Sequence, residues 1–68
     1  MPHFAKLDDN NIVEKINVYS QEDVDANGGD YSTGAEEWVE AREGGSWKQT
    51  SYNGNAKKQY AGVGYTYN

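Results

Sequence analysis

The sequence contains no cysteine, one proline and one histidine. Without thiols there is neither a disulfide framework nor a thiolate metal centre, and His3 has no second imidazole with which to share a metal or relay a proton. No apolar run approaches the roughly 20 residues that a membrane span needs, and no hydrophobic signal-peptide core follows Met1. The chain therefore reads as soluble, made in the cytoplasm, with no membrane partner. Large apolar residues are scarce as well: one Leu, two Ile, five Val and one Phe among 68 residues. With a net charge of −5, that composition borders on the range of disordered chains.

What the chain has instead is aromatics: six Tyr, two Trp and one Phe. A buried ring hides about 150–250 Å², enough to assemble one small core and thus a single domain over residues 1–68. Charge is unevenly spread. All eleven acids lie in residues 1–47, whereas residues 48–68 carry Lys48, Lys57 and Lys58 and no acid. An acidic body of this kind argues against nucleic acid as the main partner.

Along the chain, His3 to Leu7 reads as a strand, Asp8-Asp9-Asn10-Asn11 as an Asx-rich turn, and Ile12 to Tyr19 as a second, β-branched strand. Together these give a hairpin over 4–19. Simple alternation puts Ile12, Ile16 and Val18 on one face and Val13 and Tyr19 on the other, with Glu14 marking a twist or an edge. Residues 20–32 read as a polar loop in which Ser20 starts at most one helical turn. Thr33 and Glu36 have capping-box spacing, with Thr33 at the cap. Ala35, Trp38, Val39 and Arg42 then recur at helical spacing, which predicts a helix over 34–43 that buries Trp38 and Val39 and stops at Gly44-Gly45. Residues 46–67 form the predicted aromatic hairpin, its turn set by Asn53-Gly54. Its last strand has Gly62 and Gly64 on one face, where Trp38 or Trp47 is expected to pack. The predicted fold is α+β, ββ-α-ββ in order, two hairpins in a small antiparallel sheet with one short helix upon it.

Few residues form a chemical constellation. Asp23-x-Asp25-x-Asn27-Gly28 matches the first half of a calcium-binding EF-hand loop, but Gly34 stands where the bidentate Glu belongs, so it remains a weak candidate. Asp8-Asp9 and Glu36-Glu37 are adjacent pairs, whose side chains diverge on a strand or helix. No nucleophile elbow or phosphate loop is present. The chain reads as non-enzymatic and implies no cofactor. Tyr60, Tyr65, Tyr67, Lys57 and Lys58 are the candidate binding residues, and Trp38, Trp47, Tyr52, Gly54, Gly62 and Gly64 the candidate structural ones.

Two stretches carry a resemblance. Phe4-Ala5-Lys6-Leu7-Asp8-Asp9-Asn10-Asn11-Ile12-Val13 resembles the opening of small proteins of marine bacteriophages, notably T4-like cyanophages. Trp47-Lys48-Gln49-Thr50-Ser51-Tyr52-Asn53-Gly54-Asn55 and Tyr60-Ala61-Gly62-Val63-Gly64-Tyr65-Thr66-Tyr67 are similar to that group's most distinctive stretch. Lys57-Lys58 stands where the group often has an arginine–lysine pair, so the charge is kept without the guanidinium fork. The resemblance implies a virion component, such as a capsid decoration or cement protein or a small tail or fibre piece. Its partners would be other phage structural proteins or copies of itself. The alternatives are an accessory protein that binds a host protein through Glu36, Glu37, Glu40 and Glu43, and an aromatic carbohydrate-binding module.

Overall fold

The computed structural model describes residues 2–50 and 62–66. β1 (His3–Leu7) and β2 (Val13–Val18) form the expected antiparallel hairpin. Asp8 builds its turn: Oδ1 accepts the amides of Asn10 at 2.8 Å and Ile12 at 2.9 Å, while Asn11 takes φ 62°. An Asn tolerates that left-handed conformation better than most residues.

Two helices follow, not one. α1 (Gln21–Ala26) is capped by Ser20, whose Oγ accepts the Asp23 amide at 3.2 Å. Residues 20–32 are thus more than a polar loop, because Val24 is fully buried and holds α1 against the sheet. α2 (Thr33–Glu43) begins one residue earlier than its sequence pattern implied. Ser32 is the cap, and its Oγ accepts the Ala35 amide at 3.0 Å. The Thr33–Glu36 capping box does not form, because Glu36 is drawn to the sheet instead. Gly44 ends α2 at φ 77°, returning its N–H to the Glu40 carbonyl.

β3 (Ser46–Thr50) pairs antiparallel with β1, giving the sheet order β2-β1-β3. The described residues form an α+β fold with three strands and two helices in ββααβ order; the second helix is added to the expected ββ-α-ββ order, and a fourth strand is not shown among them. Of the predicted 46–67 hairpin, the described residues are β3 and 62–66. β3 lies on one edge of the sheet, whereas Gly64 and Tyr65 bond to Val13 on the outer edge of β2, with Thr66 bridging Ile12. β1 and β2 therefore lie between β3 and residues 64–66. The Asn53-Gly54 turn lies outside the described residues.

The core divides between the sheet faces. Phe4, Val24, Ala35, Val39 and Trp47 pack together beneath the helices, with Tyr19 and Trp38 against them. Trp47 also donates its indole N–H to the Gly44 carbonyl at 2.7 Å, so its one polar atom is satisfied. Ala5, Leu7 and Val13 form a second cluster, joined by Ile16. Uniform alternation had placed Val13 and Ile16 on opposite faces. The register skips Glu14, which inserts one residue between Lys15 (opposite Lys6) and Val13 (opposite Leu7). A bulge of this kind reverses the parity of everything beyond it.

Neither tryptophan covers the glycine pair at 62 and 64. Both rings lie in or against the helix-side cluster. Among the described residues, a Cβ on Gly62 would touch only the Tyr65 ring at 3.8 Å, and nothing lies within 4 Å of one on Gly64. Residues 62–65 form a turn closed by the Tyr65 amide on the Gly62 carbonyl at 3.0 Å. Gly64, at φ 90°, supplies the positive φ required at the third position of a type II turn.

Candidate interaction surface

α2 seals one edge of the sheet. Glu36 and Glu40, one helical turn apart, accept the amides of Gln49 at 3.2 Å and Trp47 at 3.0 Å. Four helical residues rise about 6 Å and two strand residues about 6.6 Å, so the two carboxylates match the two outward amides. Lys48 adds an ion pair to Glu36 at 3.6 Å. The acidic helix face predicted as a host-protein contact is thereby divided: Glu36 and Glu40 serve the sheet, and Glu37 and Glu43 are exposed.

Beneath that edge, the buried Gln49 side chain ties down the loop between the helices. Its Oε1 accepts the Tyr31 amide at 2.6 Å and its Nε2 donates to Asp30 at 3.1 Å. Gln21 reaches the same Asp30 oxygen at 3.1 Å. This network is structural. Among the described residues, no group of three or more His, Cys, Asp or Glu side chains is placed to hold a metal ion. The weak calcium candidate Asp23, Asp25 and Asn27 falls on α1 and its C-cap. Asp23 and Asp25 belong to α1, where two residues subtend about 200°, and the Asn27 amide caps that helix on the Asp23 carbonyl. The oxygens diverge instead of converging.

Among the described residues, the opposite edge is open over part of its length. Because the Trp47 and Gln49 amides turn to α2, Ser46, Lys48 and Thr50 are the β3 residues that bond β1, opposite Leu7, Ala5 and His3. Phe4 and Lys6 then face β2, opposite Asn17 and Lys15. The outward positions of β2 are Val13, Ile16 and Val18. Val13 exchanges both backbone bonds with Gly64 and Tyr65, each at 2.8 Å. Among the described residues nothing pairs with Ile16 or Val18 on that side, and Val18 is 47% exposed.

Around this edge stand side chains that binding surfaces favour. Tyr19 meets Phe4 edge-on at 5.6 Å and Trp38 at 5.4 Å, and the Arg42 guanidinium lies 5.3 Å from the Trp38 ring centroid. Asn17 donates to the Tyr19 hydroxyl at 3.2 Å. Trp38 is thus only half-buried, a bridge between core and surface. Of the predicted binding residues, Tyr65 is 56% exposed beside Val63 at 66%. Tyr60, Tyr67, Lys57 and Lys58 lie outside the described residues, as do Tyr52 and Gly54. Sequence reasoning missed the Lys15–Asn17–Tyr19 row and its junction with Arg42. Its signal was the polar residue at every second position of a β-branched strand.

No helix among the described residues is long and apolar enough to cross a membrane. No family model, curated protein or solved structure matches this chain.

Proposed function

We propose that this chain is a non-enzymatic bacteriophage structural protein, a virion component of the capsid-decoration, cement or small tail or fibre type. It binds other virion subunits, or copies of itself, and is made in the host cytoplasm. The observation that carries the reading is that, among the described residues, the outer edge of β2 at Ile16–Val18 is unpaired, with Val18 half exposed. An unpaired strand edge is a template for pairing with another chain. The opposite edge of the sheet is closed by Glu36 and Glu40, so among the described residues one edge is left for association. The resemblance of the 4–13, 47–55 and 60–67 stretches to marine phage proteins supplies the setting. Mass spectrometry of gradient-purified virions tests the proposal. The chain should be recovered at a fixed ratio to the major capsid protein, and its presence only in the soluble lysate of infected cells would overturn the reading.

A further inference from the structure

Four lysines and arginines lie among the described residues. Lys6 pairs with Glu14 at 3.8 Å and Lys48 with Glu36 at 3.6 Å. Lys15 and Arg42 have no carboxylate within ion-pair reach among the described residues, and both are exposed. The two flank one surface. Lys15, Asn17 and Tyr19 alternate along the helix-side face of β2, and the Tyr19 ring leads through Trp38 to Arg42. Lys15 is also unfavourably placed in the isolated chain, because it stands directly opposite Lys6 in the sheet, and like charges in that position repel.

We propose that the outer edge of β2 binds an extended segment bearing carboxylates, added as a fourth strand beside Ile16 and Val18, with its acidic side chains on the Lys15–Arg42 face. This names the chemistry of the partner and rests on the reading of β2 as the subunit contact. The added strand would continue the pairing that Gly64–Thr66 already makes with Ile12 and Val13. Backbone bonds from Ile16 and Val18 supply register, Tyr19 and Trp38 supply apolar contact, and Lys15 and Arg42 select charge. The chain's net −5 opposes an acidic partner at long range, but charges beyond about 8 Å are largely screened at physiological salt, whereas the contacting cations are not.

The test uses the 15N-labelled full chain with two synthetic probes, Ac-Glu-Val-Glu-Val-Glu-NH2 and its Lys-for-Glu counterpart. The Glu peptide should shift the Ile16 and Val18 amides saturably and slow their hydrogen exchange. It should bind at least about fivefold more tightly than the Lys peptide, from two charge contacts. Lys15→Glu should raise the melting temperature, by removing the Lys6–Lys15 repulsion, while weakening the Glu peptide. Lys15→Glu combined with Arg42→Glu should reverse the preference. Unmoved Ile16 and Val18 amides at millimolar Glu peptide, or equal binding of both peptides, would overturn the proposal. If the chain is nonetheless found in virions, the virion role stands and only the acidic strand is discarded.

Discussion

A carboxylate oxygen of Glu40 accepts the backbone N–H of Trp47 at 3.0 Å, so a helix side chain occupies the place that a neighbouring strand would take. Glu36 repeats the contact at Gln49. Glu40→Ala should lose about 1–3 kcal/mol, the range for a hydrogen bond to a charged group. Glu40→Gln, which keeps a carbonyl acceptor, should lose less. Urea unfolding checks the magnitude, and faster exchange of the Trp47 amide in Glu40→Ala checks the site. An unaltered Trp47 amide would show that the edge is not held by this carboxylate.

Gly34 provides a test of sign. Exchanging Gly for Ala inside a helix ordinarily stabilises by up to about 1 kcal/mol. Here a Cβ would collide with the backbone carbonyl oxygen of Asn27, which has little freedom to move. Gly34→Ala should therefore lower the melting temperature, whereas Gly62→Ala, which among the described residues meets only the Tyr65 ring at 3.8 Å, should leave it nearly unchanged. Thermal unfolding of the two variants side by side decides the matter.

Gln49→Leu keeps the bulk of a buried side chain while removing both of its partners on the loop, the Tyr31 amide and Asp30. A loss of about 1–3 kcal/mol is expected from the stranded polar groups. Faster amide exchange should be concentrated at Asp30 to Ser32, and uniform acceleration across the chain would count against a local anchor.

The two faces of the core set a contrast between valines. Val39 is fully buried and Val18 is half exposed. Val39→Ala should cost about 1–3 kcal/mol, including the cavity left behind, and Val18→Ala only about 0.5 kcal/mol or less. Equal losses in urea titrations would mean that Val18 is covered in solution.

Local chemistry was legible in the sequence, and long-range pairing was not. The Asp8–Asn11 turn, the Gly44-Gly45 stop and the buried Ala35–Val39 face each depend on residues a few positions apart. The choice of β1 as the partner of β3 depends on which strand the rest of the core leaves available, and the attention-drawing Asn53-Gly54 dipeptide carries no information about that. Glu14 looked like an interruption of an apolar face; as a bulge it reassigns Ile16 to the face of Val13. α1 read as at most one turn from Ser20 because Val24 is its only large apolar residue among acids. Glu36 and Glu40 read as part of an acidic face open to a host protein, since nothing in their spacing reveals a strand edge beside them.

The middle strand of the sheet is also the first to be synthesised. β1 can close on β2 as soon as residue 18 has left the ribosome, but its other side waits until Thr50 follows, with both helices made in between. During that interval the nascent hairpin exposes His3, Ala5 and Leu7 along an unfilled edge. An arrest that leaves residue 18 but not Thr50 outside the ribosome should therefore favour mispairing between neighbouring nascent chains, while one that has already let Thr50 emerge should be harmless.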